Sequence, residues 1–400
     1  VPTFPSRLLA AAFGLALATA AHAQDWVGTW GVAPAGPPAM ADAINLTDQT
    51  LRLIVRTSIG GKRVRIRVSN ELGATPLRIG AAHIGVRAGG ASVQPGTDRV
   101  LTFAGQAGVV IPAGAPVWSD PVALPVAALS DLAISLYLPG PSSATTLHGI
   151  ASQTQYVSKA GDFTGAATLP VARTLTALPF LTEVDVEAEG SVIVALGDSI
   201  TDGMRSTVDT NNRWPDWLAR RLPVFGVVNR GISGNRLLTN TPDAWLTGRA
   251  ILERFDRDVL ATSGVRAMTL MVGINDIGSS SSASPVTATA LIAGYQQVIA
   301  RAHAKGIAVV GATLTPFQGA GYYSAEKEAV RQAVNTWIRS GGGFDGVIDF
   351  DRVLRDPANP ARMLAAYDSG DHLHPSDAGY QAMGKAVPLE LFQRPVPLLK

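Results

Sequence analysis

The sequence predicts two parts: an all-β, sandwich-like region over about 25–185, then a three-layer, doubly wound α/β domain with a parallel sheet over 190–394. Three observations carry this expectation. Short β-rich runs separated by Gly, Pro and Ser clusters fill the first part, without helical periodicity. Beyond about residue 185, apolar runs bounded by turn residues alternate with helix-length stretches, the pattern of a sheet buried on both faces. The chain can also supply the cores: 400 residues, 46% hydrophobic and 16% charged, lie outside the composition of disordered chains.

In the first part, Leu51 to Thr57 and Val64 to Val68 flank Ser58-Ile59-Gly60-Gly61-Lys62, which reads as a hairpin connection. Arg63, Arg65 and Arg67 alternate with Val64, Ile66 and Val68, so three guanidinium groups share one strand face. A solvated sheet face or protected edge is the preferred reading of that row, ahead of a site for an anionic polysaccharide or membrane surface. Further strands are expected at Val109 to Ile111, Leu132 to Leu138 and Gln155 to Ser158.

In the second part, strands are expected at Val192–Leu196, Val224–Val228, Ala267–Val272, Ile307–Leu314 and Gly346–Phe350. Helices are expected at Pro215–Leu222, Asp243–Ala261, Pro285–Lys305, Ala325–Arg339 and Ser376–Phe392, the last broken by Pro388. Ser279 to Ser282 reads as a flexible connection.

Open α/β sheets bind ligands beyond the carboxyl ends of their strands, so the residues found there are the ones to inspect. The first strand runs into Gly197-Asp198-Ser199-Ile200, and the second into Asn229-Arg230-Gly231-Ile232-Ser233-Gly234-Asn235. The third runs into Gly273-Ile274-Asn275-Asp276, while Asp371-His372-Leu373-His374-Pro375 precedes the final helix. Acyl transfer needs each of these parts. A serine hydroxyl requires a base, for which His374 is the candidate. Asp371, three residues earlier, can orient the imidazole. A tetrahedral oxyanion needs preorganised donors, and the N–H groups of Ser199 and Gly234 with the side-chain amide of Asn275 form a candidate set. His372 competes with His374, which is preferred because Pro375 behind it readily starts a helix.

These four segments, in this order, resemble the four blocks of the SGNH (GDSL) hydrolase superfamily over roughly 190 to 394. The resemblance implies Ser199 as nucleophile, Asp371 and His374 as its triad partners, and Ser199, Gly234 and Asn275 as the oxyanion hole. No cofactor and no metal is expected. Ile200 stands where the superfamily usually has Leu. Asp202-Gly203, Arg213-Trp214-Pro215-Asp216 and Gly231-Ile232-Ser233-Gly234-Asn235-Arg236 are similar to an arylesterase and acylhydrolase subgroup, some members of which are associated with xylan degradation. His148-Gly149-Ile150-Ala151 and Gln153-Thr154-Gln155-Tyr156 fit the two-part layout of that subgroup.

Other classes find little support. Lys plus Arg (33) against Asp plus Glu (31) leaves +2, too balanced for a nucleic-acid footprint. Zero cysteines exclude disulfides, thiolate metal sites and a cysteine nucleophile. Thr201 breaks the Gly-x-Ser-x-Gly elbow of ordinary lipases, and no dinucleotide fingerprint occurs. Asp371, His372 and His374 are too few for a metal hydrolase.

Residues 1–23 read as an export signal: Arg7, the apolar run from Leu8 to Ala21, and Ala21-His22-Ala23 as a cleavage site. The expected destination is secreted or periplasmic, without stable membrane insertion. The expected partner is a small-molecule or polysaccharide ester, first of all O-acetylated plant polysaccharide; an arylesterase, a lysophospholipase-like acylhydrolase and a non-catalytic carbohydrate-binding protein are the alternatives. Trp245, Phe317, Tyr322 and Tyr323 are candidates to stack on sugars, with core packing as the competing explanation. His83, His148 and His303 read as structural or surface groups. Nothing in the sequence fixes an oligomeric state.

Overall fold

A computed structural model describes residues 26–37, 43–241 and 244–393, without the side chains of 244 and 245. The expected export signal lies outside the described residues. The principal strands of the first part are β1 (Trp26–Gly31), β2 (Gln49–Arg56), β3 (Gly61–Ser69), β4 (Ala81–Gly89), β5 (Pro116–Trp118), β6 (Val122–Val126), β7 (Asp131–Leu138), β8 (Gln155–Ala160), β9 (Val171–Leu175) and β10 (Leu181–Glu187). They form two antiparallel sheets. One has the order β1-β10-β3-β5, with β6 also on β3; the other runs β9-β8-β2-β7-β4.

The alternation in β3 works as its sequence requires. Val64, Ile66 and Val68 are wholly buried and join Leu51, Leu53 and Val55 of β2 in one core cluster. The expected hairpin between β2 and β3 is not formed. The two strands lie in different sheets, and Thr57 to Gly60 crosses between them. Buried hydrogen bonds hold that crossing: Ser58 Oγ donates to Thr29 O at 2.6 Å and accepts from Val227 N–H at 2.8 Å. Two apolar strand faces bury more by opposing one another across a core than by sharing a sheet.

The Arg row is not at an edge, and it is only partly solvated, from Arg63 at 35% exposed to Arg67 at 8%. β3 is paired on both sides, and Arg63, Arg65 and Arg67 face Glu187 at 3.8 Å, Asp185 at 2.8 Å and Glu71 at 3.2 Å. Arg65 also lies between the rings of Trp26 and Trp118, 4.5 and 4.2 Å from their centroids. Its charges are satisfied within the molecule.

The second part contains β11 (Ser191–Gly197), β12 (Phe225–Gly231), β13 (Val265–Met271), β14 (Ala308–Ala312) and β15 (Gly346–Ile348), all parallel, in the order β12-β11-β13-β14-β15. Its helices are α1 (Ser199–Asp202), α2 (Trp214–Ala219), α3 (Ala244–Thr247), α4 (Ile251–Phe255), α5 (Ile274–Gly278), α6 (Ala288–His303), α7 (Ala325–Arg339), α8 (Phe350–Leu354), α9 (Asp377–Ala386) and α10 (Glu390–Gln393). The single helix expected over Asp243–Ala261 is interrupted at Gly248, and α4 continues into a π-turn over Asp256–Leu260. Helix α6 shows why the longer stretches are legible: Leu291, Tyr295, Val298 and Ala302 repeat on one buried face, and Thr287 caps the start. No helix among the described residues is long and apolar enough to cross a membrane.

The strand order reverses between β11 and β13, which opens a crevice at their carboxyl ends. Ser199 follows the first of these strands and Asn275 the second. The two parts of the chain also share one hydrophobic core. Across it, Arg230 at the end of β12 donates to Glu183 of β10 at 2.6 Å, with both side chains buried. Removing one partner of such a pair strands the other charge. Glu183→Ala is therefore expected to lower unfolding stability by about 3–5 kcal/mol in urea titrations. A loss below about 1 kcal/mol, the value of an exposed pair, would contradict the structural weight given to this contact.

Candidate active site

The turn after β11 is tight. A Cβ on Gly197 would lie 2.3 Å from Thr201 Oγ1 and 2.5 Å from Met271 O, so only glycine lets α1 start this close to the sheet. Asp198 caps α1 by accepting the Ile200 N–H at 3.1 Å, and Ser199 is the first helical residue. Burial, followed by the nearby Asp276 and Asp202 charges, pushes the Asp198 carboxyl up to about 7, despite that hydrogen bond.

Ser199 Oγ lies 2.8 Å from His374 Nε2, and His374 Nδ1 lies 2.8 Å from Asp371 Oδ2. The carboxylate accepts at Nδ1, so that nitrogen carries the proton and Nε2 is left to accept from the serine. Asp371 also organises its own turn, with Oδ1 accepting the N–H groups of Leu373 at 3.0 Å and His374 at 2.8 Å. Burial raises the Asp371 pKa, but the hydrogen bonds and charge of His374 outweigh it and hold the carboxyl well below the ordinary range. Arg205 Nε donates to Asp371 Oδ2, the oxygen that faces His374 Nδ1, at 3.2 Å.

His372 points elsewhere. Its Nδ1 meets Asp368 Oδ2 at 2.5 Å, and its side chain is 44% exposed against 12% for His374. The structure separates the two histidines by geometry rather than by a helix start at Pro375. Helix α9 begins at Asp377, with Ser376 as its cap, so Pro375 lies outside it.

The second and third segments meet beside this row. Gly234 has φ 78°, and a Cβ there would lie 2.6 Å from Thr247 Cγ2. A larger residue here meets backbone strain and the Thr247 side chain. Asn275, buried in α5, donates from Nδ2 to Asn235 O at 3.0 Å, which leaves the second amide hydrogen for another acceptor. Asp276 accepts the N–H groups of Leu237 and Leu238 at 2.8 and 3.0 Å, tying the loop after β12 onto α5.

Two supporting residues escaped the sequence reading. Arg254 donates to Asn235 Oδ1 at 3.1 and 3.0 Å and to Gly197 O at 3.1 Å, joining the first two segments from below. Asp258 holds Arg254 at 2.7 Å; burial raises its pKa, but Arg257 and Arg254 overcome this and lower it to about 2. Both sit in the interrupted helix, where sequence shows two ordinary surface charges at i,i+4 spacing. Among the candidate sugar-stacking rings, Phe317 is fully buried, with Tyr322 and Tyr323 packed on it at 6.1 and 5.1 Å. The Trp245 side chain lies outside the described residues. His83 and His303 pair with Asp98 and Asp345, each at 2.8 Å.

Solved structures similar to the chain include a G-D-S-L family lipolytic protein from Desulfitobacterium hafniense, 25% identical over 49% of this chain and 97% of its own, with a TM-score of 0.39. A GDSL-like lipase from Bacteroides thetaiotaomicron is 19% identical over 52% of this chain and 92% of its own, at 0.39. An acetyl xylan esterase from Geobacillus stearothermophilus is 20% identical over 52% and 96%, at 0.37. No curated protein matches. Residues 195–382, which contain every segment described above, match the model of the GDSL-like lipase/acylhydrolase family. That stretch, just under half of the chain, is similar to the GDSL-like lipase/acylhydrolase family, and with the site described above it marks the protein as a carboxylic ester hydrolase.

Proposed function

We propose that the protein is an exported serine esterase that removes short acyl groups, acetyl above all, from O-acetylated plant polysaccharide. The observation that carries the catalytic half is the unbroken Ser199–His374–Asp371 hydrogen-bonded row. Ser199 Oγ attacks the ester carbon while His374 Nε2 takes its proton. The oxyanion that forms faces the N–H groups of Ser199 and Gly234 and the free amide hydrogen of Asn275. Collapse expels the alcohol, protonated by His374, and leaves an acyl-serine. A water, deprotonated by the same imidazole, then attacks that ester and releases the carboxylic acid. Asp371 holds the ring in the required tautomer and offsets its positive charge.

The substrate half rests on the export signal read at residues 1–23 and on the subgroup likeness of Asp202-Gly203, Arg213 to Asp216 and Gly231 to Arg236. Product analysis after incubation with acetylated xylan and a series of p-nitrophenyl esters tests it. Acetate release from xylan, with turnover falling as the acyl chain lengthens, is expected. Inert xylan beside rapid cleavage of long-chain or lysophospholipid esters would reject this substrate.

Asn275→Ala tests the oxyanion assignment. Loss of one such donor costs about 100- to 1,000-fold in kcat, with KM little changed. Because Asn275 also braces Asn235, some loss of thermal stability accompanies it. A lowered melting midpoint with normal kcat in the folded protein would reject the role.

A further inference from the structure

His148 belongs to the all-β region, yet it is buried against the catalytic domain. Its Nδ1 lies 2.9 Å from Ala33 O, and its Nε2 lies 2.9 Å from Asp202 Oδ1 and 3.1 Å from Ile150 O. Both ring nitrogens face only oxygen acceptors, so both carry protons and the ring is a cation. Burial lowers its pKa, but the Asp202 charge and the hydrogen bonds to Asp202, Ala33 and Ile150 outweigh that and hold it above the ordinary histidine value.

The other carboxylate oxygen of Asp202 accepts twice from one residue, the Ser233 N–H at 2.9 Å and the Ser233 hydroxyl at 2.7 Å. Asp202 is the last residue of α1, whose first residue is Ser199. One four-residue helix therefore carries the proposed nucleophile at one end and the anchor of the Gly234 loop at the other. Gly234 is held from both sides: Ser233 is tied to Asp202, and Asn235 to Arg254. The direction of the Gly234 N–H follows from these two anchors.

The contact is part of a seam. Thr154 gives its N–H and hydroxyl to Asp209, each at 2.6 Å, Ser152 O accepts the Asp209 N–H at 3.1 Å, and Arg213 reaches Ala151 O at 3.4 Å.

We infer that His148 is a positioning residue for the esterase: it fixes Asp202, which fixes Ser233 and so aims the Gly234 N–H at the oxyanion. This rests on the serine-esterase reading above. It makes the all-β region a working part of the catalytic site. A fault of about 1 Å in such a donor costs on the order of 100-fold in rate.

The test measures kcat, KM and melting midpoint for full-length His148→Ala, His148→Gln, Ser233→Ala and Ser199→Ala on p-nitrophenyl acetate. His148→Ala is expected to lower kcat about 100-fold with KM within about twofold. His148→Gln, which keeps a neutral donor for Asp202, recovers much of that loss. Ser233→Ala leaves the His148–Asp202 pair intact, so it reports on the loop even if His148→Ala does not fold; its kcat falls about tenfold. Normal kcat in folded Ser233→Ala, or in folded His148→Ala, while Ser199→Ala is inactive overturns the positioning role alone. An active Ser199→Ala overturns the esterase reading on which it stands.

Discussion

Ser199→Ala is expected to cut kcat by at least about 10,000-fold while leaving the fold intact. Among the described residues the Ser199 hydroxyl hydrogen-bonds to His374, so its loss leaves no other described group short of a hydrogen-bond partner. Among the described residues, the neighbouring hydroxyls of Ser233 and Thr201 are not placed to substitute. Ser233 Oγ is engaged by Asp202, and Thr201 Oγ1 is buried under the Gly197 turn without a partner. Residual turnover from the oxyanion donors alone remains above water. Steady-state kinetics beside a melting curve check this. An unchanged midpoint with abolished turnover is the expected pair, and turnover within tenfold of the parent would remove Ser199 from the mechanism.

The second large effect separates the two histidines. His374→Ala is expected to match the loss in Ser199→Ala, because nucleophile and base act as one unit and their removals do not add. His372→Ala should retain a substantial fraction, since its ring is bound to Asp368 and half-exposed. Asp371→Asn should fall between them, through loss of the orienting acceptor at His374 Nδ1. The same kinetic series decides. A dead His372→Ala beside an active His374→Ala would reverse the assignment.

The parallel sheet was legible because its strands are short apolar runs between turn residues, and α6 and α7 because their buried positions repeat at helical spacing. The four polar segments were legible because an open α/β sheet delivers its strand ends to one side. What could not be read is what depends on the opposite wall. The crossing at Thr57 to Gly60 looks like a hairpin until the core between the sheets is seen. Arg65 looks solvated until Trp26, Trp118 and Asp185 close around it. His148 and Asp202 are 54 residues apart, one in a short strand of the all-β region and the other in α1, so no local pattern pairs them. Arg254 carries no sequence signal beyond an acidic residue four positions on.

The most direct measurement is covalent: the full chain is treated with a fluorophosphonate and the modified peptide is sequenced by mass spectrometry. Attack by the activated hydroxyl forms the O–P bond and expels fluoride, leaving a stable ester on the nucleophile. One adduct per chain, on Ser199, with labelling abolished in His374→Ala, is the predicted result. Labelling at another serine, or loss of ester hydrolysis without any serine adduct, would contradict it.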